Sequence, residues 1–365
     1  MAKILSNPIK ISVVAAGTSN LSKLAASMTP GSWAQMNSAN QDVILGVGSI
    51  SGSMIHYCNS MPWNPIRKCI EIVGMDHNAG IQRYVRFDPT SNGFVLVTAD
   101  TGTQGTRHGY DHNTVNPFNG DLYHRPAENN YERPGILVRK WANSANSFSD
   151  TMPLANTLFY MQNAIGVTWW SGPFSGAGAQ GCMLLYNSGD SAKMGAATDG
   201  GMYAYDPLAN KWFWSSQSMS PFYGTAGNTY HSVLEYSEKK NVAIYGGGND
   251  QPHKLWRLNS DRTFVAMPDV PSGKGVGIQQ GNLVCDPVTG NFLLLSANEL
   301  WELDPTGTGT WTQQKGSRVP PSGVGTPGPT TIDGMISSAI ADYGVIAYIK
   351  QTSSTGGSFY LYKHA

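Results

Sequence analysis

Charge is scarce in this 365-residue chain: Asp, Glu, Lys and Arg make up 13% of it and balance to a formal net charge of zero. A broad basic surface for nucleic acid or anionic lipid is therefore excluded. Cysteine is equally sparse. Cys58, Cys69, Cys182 and Cys285 show no C-x-x-C spacing and no metal pattern, so they read as buried free thiols packing as small hydrophobes. Cys58 and Cys69 flank one hairpin and are placed to be neighbours across two strands. No apolar run approaches a membrane span. An export signal is not expected either, because Asn7, Pro8 and Lys10 interrupt the apolar residues near the start. Helical periodicity of any length is missing as well.

What is abundant is turn chemistry: 42 glycines and 21 prolines, as a turn-dense β fold requires. The stretch from Leu283 to Gln313 shows the pattern most clearly. Two strand-like segments, Leu283–Cys285 and Phe292–Leu295, flank the turn Asp286-Pro287-Val288-Thr289-Gly290. Proline presets φ in such a turn and glycine supplies positive φ. A third strand, Leu300–Leu303, ends at Asp304-Pro305, and Trp311 lies in a fourth. Four strands in about 30 residues make an antiparallel meander.

The same grammar recurs. YVRFDP (Tyr84–Pro89), MYAYDP (Met202–Pro207), LWRLNS (Leu255–Ser260) and LWELDP (Leu300–Pro305) share a third-strand signature, each followed by an aromatic: Phe94, Trp212, Phe264 and Trp311. A period near 45 residues with four strands per unit marks propeller blades. Tyr245-Gly246-Gly247 after a second strand, the Tyr-Asp-Pro of the third and Trp212 or Trp311 in the fourth resemble the kelch repeat of galactose-oxidase-like propellers. That resemblance implies a fold and leaves function open.

The expected architecture is all-β: a single β-propeller over residues 32–365 with six four-stranded blades, preceded by an N-terminal arm, residues 1–31. A seventh blade would have to hide within 153–200. The segment Ser32–Asn37 looks like a fourth strand lacking its first three, while Met335–Ile340, Val345–Ile349 and Phe359–Tyr362 lack a fourth. Unpaired sheet edges are a liability, so the N-terminal strand is expected to complete the last blade. The other blades are expected at about 53–98, 107–152, 166–216, 230–267 and 278–314.

Turns between first and second and between third and fourth strands are tight (NPIRK, NPFNG, SEKK, DPVTG; DPTSN, DPLAN). Connections between second and third strands and between blades are mostly longer, and these fall on one face. Long loops carry function, so that face is expected to bind partners. Candidate binding residues there are His77, Arg107, Tyr131, Arg133, Trp170, Tyr223 and His253. Of the adjacent pair Trp169-Trp170, at most one is expected in the core and one lining a loop or blade interface, because neighbours on a strand point to opposite sides.

A His/Tyr/Arg cluster, His108, Tyr110, His124 and Arg125, would suit a polysaccharide lyase, with Arg neutralising a uronate carboxylate and His or Tyr moving protons. Propeller lyases are a family precedent for it. His108 sits at the start of a first strand, where kelch-type blades use His as scaffold; His124 and Arg125 read as loop residues. Sialidase boxes, a copper site and a phosphate loop find no match. No cofactor and no metal are expected.

Ser/Thr/Asn/Gly-rich loops on a rigid disc fit a non-catalytic binding or structural module, a component of a bacteriophage virion by style of composition, contacting a host-surface glycan or a neighbouring virion protein. The alternatives are the lyase and an intracellular, cytoplasmic kelch-type adaptor.

Overall fold

In a computed structural model of the chain, the residues described are 19–45, 54–55, 58–74, 82–99, 101, 113–125, 139–144, 147–150, 166–187, 201–216, 231–249, 251–278, 280–321, 335–351 and 357–365. They form six four-stranded antiparallel sheets, each paired in the simple order of a meander. Blade 1 comprises Trp63–Asn64, Cys69–Gly74, Arg83–Asp88 and Gly93–Thr98; blade 2 comprises Asn113–Val115, Leu122–His124, Arg139–Trp141 and Phe148–Asp150. Blade 3 comprises Gly166–Trp170, Cys182–Asn187, Gly201–Asp206 and Lys211–Ser215. Blade 4 holds Val233–Ser237, Val242–Gly246, Leu255–Asn259 and Phe264–Ala266, and blade 5 Asn282–Cys285, Phe292–Ser296, Glu299–Asp304 and Thr310–Gln313. Blade 6 joins Met335–Ile340, Val345–Gln351 and Gly357–Lys363 to Ser32–Met36.

That last pairing is the expected closure. Trp33 lies opposite Tyr362 and Gln35 opposite Tyr360. The indole of Trp33 stacks on Tyr362 with centroids 4.4 Å apart, and its N–H donates to the Arg318 carbonyl. Closure is also visible in the cores. Each of six apolar clusters joins two neighbouring sheets: Val73 and Tyr84 with Leu122 and Trp141, Tyr123 with Trp169, Trp170 with Tyr245, Ile244 with Leu283, Val284 with Tyr348, and Ile349 and Phe359 with Phe87. Six sheets with six shared cores make a ring. Every blade is therefore buried on both faces, which explains the continuous apolar runs in strands such as Phe292–Ser296.

The tight turns work as their residues dictate. Asp88, Asp206 and Asp304 each accept a backbone N–H two residues on, from Thr90, Leu208 and Thr306. The last turn residue takes positive φ: Asn92 (54°), Asn210 (49°) and Gly309 (84°). The inner turns also tie blades together, since Asn64 donates to the Gly120 carbonyl and Ser237 to that of Gly290. Within 1–31, Ser19 caps a helix, Asn20–Ser27, which buries Leu21 and Ala25 against the core between blades 6 and 1. No helix of the described residues is long and apolar enough to cross a membrane.

Candidate functional site

Seven of the sequence-derived candidates, His77, Arg107, His108, Tyr110, Tyr131, Arg133 and Tyr223, lie outside the described residues. The other four are placed. His253 is exposed beside the third strand of blade 4. His124 is not a loop residue: it ends the second strand of blade 2 and is fully buried. Its Nδ1 lies 2.9 Å from Asn113 Oδ1 and its Nε2 2.6 Å from Gln82 Oε1, so both ring nitrogens are engaged inside the protein. Arg125 follows it and is buried too.

Trp170 is a core residue. It is wholly buried against Phe174 and Tyr236, and its N–H donates to Asn241 Oδ1 on blade 4 at 2.9 Å and to the Pro173 carbonyl at 3.1 Å. Trp169, on the other side of the strand, is buried against Tyr123 of blade 2. Of the expected division, one residue in the core and one at a loop or blade interface, the interface half holds for both, and both are buried because a blade has a neighbour on each face. Adjacent residues point apart, yet both meet protein.

Blade 3 also breaks the expected division of the faces. Its first and second strands are joined by the eleven residues Ser171–Gly181, SGPFSGAGAQG, on the side where other blades use tight turns. This loop leans onto blade 4. Gly172 N–H donates to Tyr236 Oη, and Ser175 N–H to the Ser260 carbonyl. Glycine is required at two of these contacts: a Cβ on Gly172 would fall 2.4 Å from Asn241 Oδ1, and one on Gly176 (φ 81°) 2.4 Å from Arg262 Nη2.

Arg262 is the centre of this corner. Its guanidinium carbon lies 5.5 Å from the Trp214 ring centroid, 5.8 Å from Phe213 and 5.9 Å from Phe174. Cation–π contacts of this range are worth roughly 0.5–1 kcal/mol each when partly exposed. Nε–H and Nη2–H both donate to the Ser175 carbonyl, 87 residues away in sequence. Phe213 and Trp214 are consecutive, and a regular strand would send them to opposite sides. The strand is bulged here. Ala204 pairs with Trp214 and Tyr205 with Trp212, leaving Phe213 unpaired between them, so both rings turn toward Arg262. Both are half-buried, Phe174 is buried, and Lys211 and Ser215 at the strand ends are exposed.

Arg262 also occupies an unfavourable backbone state. It lies in the turn between the third and fourth strands, one residue before its end, with φ 72°; blades 1, 3 and 5 place Asn92, Asn210 and Gly309 at positive φ in that turn. A left-handed conformation costs a long side chain roughly 1–2 kcal/mol. Placing arginine there is locally unfavourable and is offset by what its side chain does.

A second arginine-rich cluster contrasts with it. Glu71, wholly buried between blades 1 and 2, accepts from Asn64 Nδ2 (2.7 Å), Arg67 Nη1 (2.8 Å) and Tyr84 Oη (2.9 Å). Arg86 donates to Tyr84 Oη at 2.7 Å and stands over its ring. Arg67 also reaches Asn143 Oδ1 and the Ala142 carbonyl of blade 2. Burial, then the Glu71 charge, pushes the Tyr84 hydroxyl and the Cys69 thiol well up from their ordinary values. All four cysteines are free and buried. This cluster is fully satisfied and holds two blades together. Among the described residues no three His, Cys, Asp or Glu side chains are grouped to hold a metal ion.

No family model matches the chain, and no curated protein matches it. The kelch resemblance thus rests on the strand signatures and the glycine turn. Among solved structures, the chain is similar to virginiamycin B lyase from Staphylococcus aureus, with 10% identity over 90% of this chain and 87% of that one, TM-score 0.47. It is similar also to Penicillium chrysogenum α-L-arabinanase complexed with arabinobiose, with 11% identity, 84% and 93% coverage and TM-score 0.48. A third is the Aleuria aurantia lectin in complex with Fucα1-6GlcNAc, with 12% identity, 85% and 96% coverage and TM-score 0.48. At these identities, and with TM-scores under 0.5, their ligands and activities carry no weight here. The propeller stands on its own sheet pairing.

Proposed function

We propose that this protein is a non-catalytic, carbohydrate-binding β-propeller that takes a sugar at the rim between blades 3 and 4. The observation that carries this reading is the bulge at Phe213, which turns two half-buried aromatic rings to the same side as Arg262. The apolar face of a pyranose stacks on an aromatic ring, and a neighbouring guanidinium donates to its hydroxyls. A docked, glycine-shaped loop and a rigid ring of blades hold these groups in place, so little ordering is needed on binding. The buried, doubly engaged His124 favours binding over proton transfer.

The test is calorimetric titration of the protein with a panel of neutral and charged oligosaccharides, repeated with Trp214→Ala. Measurable heat that disappears in the variant supports the reading. Flat traces across the panel overturn it.

A second reading, contact with another protein, is favoured by the same face. The inner turns of blades 1, 2 and 5 each expose one apolar residue, Ile66 (41%), Phe118 (48%) and Val288 (40%). Membership of a virion is a proposal of composition alone. Capsid, portal or tail genes flanking the coding sequence would support it.

A further inference from the structure

We infer that the sugar taken at the corner between blades 3 and 4 carries a carboxylate, as a uronic acid does, and that Arg262 is the residue that selects it. The inference rests on the carbohydrate reading above. A guanidinium has five N–H donors in a planar fork. At Arg262 the described residues supply one acceptor, the Ser175 carbonyl, which takes Nε–H and one Nη2–H. Among the described residues no carboxylate lies within ion-pair distance of it; Asp261, its neighbour in sequence, turns its carboxylate back onto Thr263 N and Oγ1. Asp206, on the adjoining turn, is engaged with Leu208 N and Ala209 N. The Nη1 edge therefore has donors to spare.

Three features make this more than a loop clamp. The positive charge stands beside Phe174, Phe213 and Trp214, whose rings displace water from it on several sides, and an ion pair formed beside such walls is stronger than one in open solvent. Phe213 and Trp214, the latter with one face on Phe264, are half-buried beside the spare donors, so one ligand can pack on their exposed parts while its carboxylate accepts two parallel N–H bonds. The left-handed turn position, filled by Asn or Gly in blades 1, 3 and 5, holds an arginine only here.

The experiment is a pair of titrations at low salt with a tri-galacturonate and with the corresponding neutral galactose trimer, on the wild type, Arg262→Gln and Arg262→Lys, with melting temperatures recorded for all three. The expected result is that the wild type binds the acidic trimer at least about tenfold more tightly. Arg262→Gln should bring that ratio close to one, because it weakens the acidic trimer by far more than the neutral one. Arg262→Lys, which keeps the charge and loses the fork, should fall between, and serves as the readout should Arg262→Gln not fold. Equal affinity of the wild type for both trimers overturns the inference and leaves the carbohydrate reading standing. A preference for the acidic trimer that survives in Arg262→Gln also overturns it, because the charge would then be read elsewhere. Binding of neither trimer by the wild type overturns the inference for this sugar, and the broader panel then decides whether the carbohydrate reading fails with it.

Discussion

Two corners of this propeller combine arginine with aromatic rings, and they differ in one respect. Between blades 1 and 2, Arg67 and Arg86 surround Glu71, with Tyr84 and Asn64 taking up its remaining lone pairs. Between blades 3 and 4, Arg262 stands among Phe174, Phe213 and Trp214 with a carbonyl and, among the described residues, no carboxylate. In the first corner a buried carboxylate has all its hydrogen bonds and two arginines as partners. The second is incomplete and half open. Completeness marks a group that holds the fold, because an unpaired buried charge is expensive; incompleteness at a rim marks a group waiting for a ligand.

The largest effect that would test this contrast comes from Glu71. Glu71→Ala leaves two arginines without their counter-charge in a buried site, and should cost about 3–5 kcal/mol in chemical denaturation while leaving sugar binding by the folded fraction intact. A stability change under about 1 kcal/mol would erase the distinction between the corners. Trp170→Ala comes next. Its ring is wholly buried between blades 3 and 4 and should cost about 3–5 kcal/mol. If Trp170 were instead a surface stacking residue, stability would hardly move.

Gly176→Ala sharpens the comparison within the second corner. A methyl there meets Arg262 Nη2 and must adopt a left-handed backbone, costing about 1–2 kcal/mol. Because it displaces the guanidinium, it should weaken sugar affinity more than its stability loss would suggest; unchanged affinity would detach the loop from the site.

The smallest effects are in pH dependence, followed by melting temperature across a titration. The hydrogen bond from His364 holds the Glu302 carboxyl below its ordinary value of 4.5. A depressed folded value means stability present above the unfolded value and lost as pH falls through the folded one. Glu302→Gln should therefore flatten the acid limb below about pH 4.5. On the alkaline side, burial pushes Tyr236, in the blade 3–4 interface, up to about 12. Raised folded values give stability that is intact below pH 10 and fades toward pH 12. Tyr236→Phe should lessen that alkaline loss.

Much of the ring was legible because tight turns have local chemistry. Asp-Pro steps, Asn92, Asn210 and Gly290 announce their own conformations, and strands between them have few alternatives. Trp33 and Tyr362 were legible as partners because each end of the chain lacked what the other had. The helix Asn20–Ser27 carries a capping Ser19 and apolar Leu21 and Ala25, but its two turns are too short to stand out among Ser, Ala and Thr. The second corner was hidden for a stronger reason. Ser171–Gly181 has no periodicity, and its shape comes from Arg262, Tyr236 and Ser260 on another blade. The bulge that turns Phe213 is likewise a property of pairing with Ala204 and Tyr205, not of the letters KWFWS. His124 looked like a loop residue because Arg125-Pro126 follows it, whereas its burial depends on Gln82 and Asn113. One cue was available: arginine late in the blade 4 turn, where blades 1, 3 and 5 use Asn or Gly.

Hydrogen–deuterium exchange with and without a saturating acidic oligosaccharide tests the central claim most directly, since it reports where the ligand sits. Slowed exchange confined to Ser171–Gly181, Lys211–Ser215 and the turn around Arg262 is the predicted result. Protection at other blades, with that corner unchanged, would contradict it.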